Sequence, residues 1–335
     1  MKAIVRRLQL AITESCDSRC VYCNFWRLTQ PRALPVTRME QFLSLLDMTN
    51  GDLVALTGGE PTEHPDLIAY VNLINDVLGI KPLLSTNCLN IDRLERILSC
   101  CGHSLAYIST SLDGIGCAHD RNRGVEGAYT RVQRARELAA SNGLKMRFAI
   151  TVTPANLSEV ETLLSMIPEE DLDIKCMETS PFYYGDNSGR QLRQVSLEDS
   201  VYRILRCYYV ARGKPNNLYN FYNALYRRHG FRPTCTVATD ELFVMPNGDV
   251  CGCHHKSPLC NVFTIENART LIEMQQSFRQ TNGTCKACFS RCAAGDLVFR
   301  CAHYERIATK IIHRWRLGED SPEIEYANEI GAHPT

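Results

Sequence analysis

The sequence predicts an α/β fold, a parallel sheet with crossover helices, followed by a smaller cysteine-rich module. Two observations carry this. Through residue 177, short apolar runs alternate with amphipathic stretches punctuated by Gly and Pro, the pattern of repeated strand–helix units. Eight of the 17 cysteines then fall between Cys235 and Cys301, with turn residues among them. That density marks a metal-organised module. The apolar fraction of 44% is enough for a globular core.

In order, residues 8–13 alternate as a first strand. Thr37-Arg38-Met39-Glu40 reads as a capping box ahead of Phe42, Leu45 and Leu46. Residues 53–57 are a short buried strand. Pro65 opens a helix carrying Leu67, Ile68, Val71, Ile74 and Leu78, which Gly79 closes. Strands follow at 82–86, 107–112, 147–153 and 172–177, with helices at 91–98, 129–140 and 157–166. Six strands alternating with helices imply a parallel sheet, open or closed, with the chemistry at the carboxyl ends of its strands. From Pro181 to Gln194 the chain is polar and reads as a surface loop. Helices at 197–210 and 218–228 are rich in aromatics. There Tyr202, Tyr208, Tyr209, Tyr219, Tyr222 and Tyr226 read as packing residues with wet hydroxyls. Pro246-Asn247-Gly248-Asp249 is a hairpin turn after a strand at 242–245.

Lys plus Arg and Asp plus Glu both number 37, so the net charge is zero. No long basic run suggests nucleic acid. No run of 18 apolar residues suggests a membrane span, and residues 4–10 are too short and too charged for a signal peptide. The expected location is the cytoplasm, where thiols stay reduced and their number points to metal rather than cross-links.

The sharpest motif is Cys16-Asp17-Ser18-Arg19-Cys20-Val21-Tyr22-Cys23, on the loop after the first strand. Three thiolates there can hold three irons of a [4Fe–4S] cluster and leave the fourth iron open. A structural zinc knuckle wants four closed ligands, and no fourth Cys or His lies close in sequence. Disulfides favour small secreted chains.

This spacing, on a loop after a first strand, resembles the radical S-adenosylmethionine (SAM) superfamily. The fold implied is a partial (β/α)6 barrel, residues 1–215. A SPASM- or twitch-like auxiliary cluster domain follows at 216–310, then a C-terminal helix and tail at 311–335. In that family the open iron chelates SAM, one electron cleaves the sulfonium, and the 5′-deoxyadenosyl radical abstracts a hydrogen atom from the substrate. A flavodoxin- or ferredoxin-type protein would supply the electron. Three further segments match in the family's order. Gly58-Gly59-Glu60-Pro61 after the second strand implies contact with the SAM amino group. Ser109-Thr110-Ser111-Leu112-Asp113-Gly114 with Arg123 implies that Ser111 and Arg123 touch the SAM carboxylate. Ser85-Thr86-Asn87 implies contact with the ribose, with Cys88 where glycine is frequent. Tyr22 matches an aromatic bordering the adenine.

Cys235, Gly248 and Cys253 fit the opening of the SPASM/twitch pattern, and Cys285 with Cys288 supplies a second pair. Two such pairs can close around one fully ligated auxiliary [4Fe–4S] cluster; a zinc ribbon on the same four cysteines is the alternative. Cys251, Cys260, Cys292 and Cys301 are further candidate ligands, at spacings that leave a second auxiliary cluster open. Cys100, Cys101 and Cys207 read as small buried hydrophobes on helices. His254 and His255 read as surface residues. Cys117 and Cys176, near strand ends, are candidate hydrogen-atom donors. Glu178 is a candidate base or substrate ligand.

The function expected is a radical SAM enzyme that oxidises or epimerises a sugar, aminocyclitol or nucleoside. The cysteine loop begins at residue 16, which argues against a preceding leader-peptide-binding domain and favours a small polar metabolite. The runner-up is modification of a ribosomally made precursor peptide. A zinc-structured binding protein is the alternative of a different class.

Overall fold

The chain opens with a two-residue strand, β1 (Ala3–Ile4), and then the longer β2 (Arg7–Thr13). The structure, a computed structural model, describes residues 1–177, 195–229, 241–253, 255–282, 302–327 and 329–330. On β2, Leu8, Leu10 and Ile12 are fully buried on one face, and Gln9 and Ala11 are buried on the other. A strand covered on both faces belongs in the middle of a parallel sheet, and there it lies.

After β2 come α1 (Met39–Ser44) and β3 (Leu46–Asp47), which pairs with β1 in parallel. The strand–helix units follow as β4 (Leu53–Gly58), α2 (Leu67–Leu78), β5 (Leu83–Ser85), α3 (Ile91–Cys101) and β6 (Ile108–Ser111). Then come α4 (Cys117–Arg123), α5 (Ala128–Ser141), β7 (Met146–Val152), α6 (Glu159–Met166) and β8 (Leu172–Cys176). β2, β4, β5, β6, β7 and β8 are neighbours in that order, and every pair is parallel. This is the expected α/β fold. The helices cover the sheet with apolar stripes. On α2 the buried residues Leu67, Tyr70, Val71 and Ile74 recur at helical spacing, and Gly79 ends the helix at φ 67°.

Three local expectations change. Val36–Arg38 form a 3-10 turn, so Thr37 lies inside it, and Arg38 caps α1 with no side-chain bond. The capping box is not made, and Leu46 leaves the helix for β3. Pro65 precedes the cap Asp66 instead of opening α2. The tyrosine hydroxyls of the next two helices, α7 (Val195–Arg212) and α8 (Leu218–His229), are not all wet. Tyr202 donates to Glu323 (2.8 Å), Tyr209 to Glu169 (2.7 Å) and Tyr222 to the carbonyl of Tyr304 (2.8 Å).

Further on, β9 (Glu241–Val244) and β10 (Asp249–Cys251) form the expected hairpin, with β11 (Cys260–Asn261) beside β10. β9 runs parallel to β2, so among the described residues the hairpin extends the main sheet to nine strands. Gln9 and Glu241 seal the join by a 2.5 Å hydrogen bond. Sequence patterning missed α9 (Ala268–Asn282) and the helix of residues 302–310. The latter belongs to α10 (Ala302–Arg316), which buries Ile307, Ile311, Ile312 and Trp315. Among the described residues no helix is long and apolar enough to cross a membrane.

Candidate active site

The loop that leaves β2 carries Cys16, Cys20 and Cys23 and is clamped from two sides. On one side, the β4 end approaches so closely that Gly59 N–H donates to the Thr13 carbonyl (2.6 Å) and Glu60 N–H to that of Ser15 (2.7 Å). A Cβ on Gly58 (φ 143°) would lie 2.3 Å from the Thr13 carbonyl oxygen, and one on Gly59 2.3 Å from that of Ser15. These glycines are therefore demanded by backbone-on-backbone contact. On the other side, the end of α4 accepts from the loop. Arg19 and Val21 N–H donate to the carbonyls of Arg123 and Asn122 (3.0 and 3.1 Å), and Ser18 Oγ donates to Arg123 (3.2 Å). Asn87, beyond β5, adds a bond from Nδ2 to Asp17 Oδ1 (2.6 Å).

The three thiols line one cavity at the carboxyl ends of the strands, together with Gly58, Gly59, Asn87, Ser111, Arg123 and Tyr22. Burial pushes the Cys23 thiol up to about 12, and that of Cys16 further, with neighbouring negative groups adding to the rise for both. A thiolate in such a place needs a cation to stabilise it, which a bound metal centre supplies. Among the described residues no three His, Cys, Asp or Glu side chains gather as a site for one metal ion. A cluster asks for something else, one thiolate on each of three irons.

Two buried carboxylates hold the walls. Asp113, fully buried after β6, lies 2.7 Å from Arg123 Nε. It also accepts from Asn122 Nδ2 and Thr151 N–H (both 2.8 Å). Arg123 thereby sits with Nη1 3.5 Å from Cys20 Sγ and its guanidinium 5.6 Å from the Tyr22 ring centre. Among the described residues its Nη2 is buried with no hydrogen-bond partner, a polar atom that a bound anion would satisfy. Glu60, also fully buried, accepts from Thr62 N–H and hydroxyl, Thr86 hydroxyl and Asn87 N–H (2.7–3.0 Å). Its carboxylate is spent on these donors and is not among the cavity-lining groups, while Gly58 and Gly59 are.

Other candidates lie elsewhere. Cys117 is exposed at the start of α4, where Arg121 Nη1 donates to its sulfur (3.2 Å). Cys176 is buried at the end of β8. Neither lines the cavity. Cys101 is buried as expected, but Cys100 and Cys207 are exposed. Cys88 is buried with φ 61°, the left-handed conformation that explains why glycine suits this position. Cys251 is buried against Phe243 and Met245, and Cys253 and Cys260 are half-buried in the same hairpin region. Glu178, Cys235, His254, Cys285, Cys288, Cys292 and Cys301 lie outside the described residues. Ser85, Thr86, Ser109 and Thr110, which the sequence named within matching segments, also line the cavity, while sequence reasoning missed Thr57, Thr151 and Lys175. Their signal is a polar residue at or near the carboxyl end of an otherwise apolar strand.

Residues 10–167, just under half of the protein, match the family described as the radical SAM superfamily. Among curated relatives, it is 27% identical over 199 residues to the Fe-coproporphyrin III synthase of Methanosarcina barkeri, covering 56% of this chain and 47% of that protein. It is 24% identical over 184 residues to a GTP 3′,8-cyclase of Rhizobium leguminosarum, covering 53% of this chain and 52% of the relative. The chain thus spans about half the length of these relatives. Its fold is similar to that of native anSMEcpe with bound AdoMet and Kp18Cys peptide. The TM-score is 0.64 at 17% identity, over 98% of this chain and 100% of that one. It is also similar to Streptococcus suis SuiB bound to precursor peptide SuiA. There the TM-score is 0.59 at 18% identity, over 90% of this chain and 72% of that one.

Proposed function

We propose that the protein is a radical SAM enzyme that oxidises or epimerises a small polar metabolite of sugar, aminocyclitol or nucleoside type. The observation that carries this is one cavity in which the buried Cys20 thiol and the half-buried Cys16 and Cys23 thiols meet hydroxyls from the ends of β4, β5, β6 and β7. Hydroxyls give and accept hydrogen bonds, so they suit a substrate rich in the same groups. In this reading Cys16, Cys20 and Cys23 hold three irons. Gly58 and Gly59 offer backbone to the SAM amino group, Ser111 and the unsatisfied Nη2 of Arg123 bind its carboxylate, Asn87 faces the ribose and Tyr22 the adenine. A [4Fe–4S] cluster carrying SAM supplies, when bound, one-electron cleavage of the sulfonium and a 5′-deoxyadenosyl radical. A flavodoxin- or ferredoxin-type donor in the cytoplasm would deliver the electron.

The region 216–310 is proposed as a twitch- or SPASM-like module with an auxiliary [4Fe–4S] cluster on Cys235, Cys253, Cys285 and Cys288. The placement of Cys251, Cys253 and Cys260 in one hairpin region is consistent with this. Glu178 stays a candidate base, while Cys117 and Cys176, which do not line the cavity, would act as hydrogen donors only to a substrate that extends beyond it. A second reading, modification of a peptide, is favoured by the fold likeness over nearly the whole chain to proteins solved with peptides.

Anaerobic reconstitution tests the reading. The protein should bind about 8 irons with matching sulfide and form 5′-deoxyadenosine from SAM under dithionite. Bound zinc without labile sulfide would end it. Coupled consumption of a precursor peptide encoded beside the gene, with no small polar metabolite consumed, would replace the first substrate class by the second.

A further inference from the structure

We propose that the Ser18 hydroxyl donates a hydrogen bond to the Cys20 thiolate when that thiolate ligates iron, and that this bond raises the reduction potential of the cluster. The inference rests on the reading above that Cys16, Cys20 and Cys23 hold a [4Fe–4S] cluster, and it names a residue that tunes that centre.

Ser18 stands between two of the three thiols. It is 1% exposed and lines the cavity with them. Its backbone N–H bonds to the Cys16 sulfur. Its hydroxyl lies 3.1 Å from Cys20 Sγ and 3.2 Å from the Arg123 carbonyl oxygen. A hydroxyl has a single hydrogen to divide between two such neighbours. While Cys20 is a thiol, its S–H can donate to Ser18 Oγ and the hydroxyl can donate to Arg123. A thiolate has no hydrogen to give, so only the hydroxyl can donate across the 3.1 Å contact. Two facts favour that turn of the hydroxyl. A hydrogen bond to an ionised acceptor is roughly twice as strong as one between neutral groups. The Arg123 carbonyl is not stranded, because it also accepts from Arg19 N–H (3.0 Å).

Hydrogen bonds to the sulfurs are among the levers that set a cluster's potential. Reduction adds negative charge to the ligand sulfurs, so a donor to Cys20 stabilises the reduced form more than the oxidised one. Arg123 Nη1, 3.5 Å from the same sulfur, acts in the same direction. Arg123 is also assigned to the SAM carboxylate, whereas Ser18 is not, so the effect of the hydroxyl is separable from SAM binding. Ser18→Ala removes the hydroxyl and leaves the N–H to Cys16 in place, so it isolates one bond.

The test is a potentiometric titration of the anaerobically reconstituted protein, followed by electron paramagnetic resonance. The signal that changes on addition of SAM marks the cluster with an open iron and separates it from an auxiliary one. In Ser18→Ala the ratio of reduced to oxidised cluster at a fixed potential should fall about threefold to tenfold. For a one-electron couple that is a midpoint lower by about 30 to 60 mV. SAM affinity should be unchanged, and Ser18→Thr, which keeps a hydroxyl, should hold the wild-type midpoint. An unchanged midpoint in a fully loaded Ser18→Ala overturns the proposal. So does a Ser18→Thr variant that shifts as far as Ser18→Ala, because packing and not the hydroxyl would then set the potential. A Ser18→Ala variant that loses its iron while Ser18→Thr keeps it also overturns the proposal, since the hydroxyl would then hold the loop and not tune the cluster. A wild type with no SAM-responsive signal defeats the underlying reading, a result distinct from these.

Discussion

Glu60 and Asp113 are both fully buried beside the same cavity, yet they are held in different ways. Asp113 faces an arginine at 2.7 Å, so a charge pair is buried. All four hydrogen-bond donors to Glu60 are neutral. Burial pushes the Glu60 carboxyl up to about 7, against the pull of those four donors. The difference maps onto what each wall does. The β6–β7 wall fixes a cation beside Cys20. The β4–β5 wall ties two strand ends together so that Gly58 and Gly59 can press on the cluster loop.

The comparison breaks first at Asp113. Asp113→Asn removes the charge opposite a buried arginine, and should cost about 3–5 kcal/mol, as for breaking one partner of a buried pair. Urea unfolding of the wild type and variant measures it. A loss under about 1 kcal/mol, the scale of an exposed pair, would show that Arg123 is not committed to Asp113.

The next effect is pH. His119 is buried and its Nδ1 accepts from Asp113 N–H (2.9 Å), so the ring must be neutral there. Burial, helped by Arg123, holds its pKa down at about 4, against 6.5 ordinarily. The unfolded chain therefore binds the extra proton first. This contribution is whole above pH 6.5 and is lost as pH falls through 4. The expected loss is about 3 kcal/mol. His119→Asn, whose amide oxygen can accept the same N–H, should flatten that part of the pH–stability curve. An unchanged slope would place the acid sensitivity elsewhere.

Glu60→Gln should cost less than Asp113→Asn, about 1–3 kcal/mol, since it strands no opposite charge and only turns an amide toward donors. Equal losses for the two variants would erase the distinction. Smallest is Asn87→Ala, which removes the bond to Asp17 and should cost about 1 kcal/mol. Its clearer sign is cluster loss on dilution, faster than wild type, because the loop loses a tether beside Cys16.

The repeated units were legible because each strand and helix carries its own period, as on β2 and α2. The cysteine loop and Gly58-Gly59 were legible from chain-local spacing. Part of what was missed was non-local. Glu60 read as a ligand for an ammonium, yet its partners Thr86 and Asn87 lie a strand–helix unit away. Asp113, His119, Asn122 and Thr151 form a network across α4 and β7 that no local window contains. α4 was missed because only seven residues lie between Gly116 and Gly124, too few for a helical period to show. The capping box at residues 37–40 failed because a 3-10 turn took its first residue. α10 was readable from Ile307, Ile311, Ile312 and Trp315, but the cysteine density drew the module boundary through it.

The most direct test of the central claim is 5′-deoxyadenosine formation under dithionite by anaerobically reconstituted wild type and by a Cys16/Cys20/Cys23→Ala variant. The wild type should cleave SAM. The variant should keep its circular dichroism and about 4 irons of an auxiliary cluster and cleave none, since the sheet has its own core. A folded variant that still forms 5′-deoxyadenosine would contradict the claim that these three thiols hold the catalytic cluster.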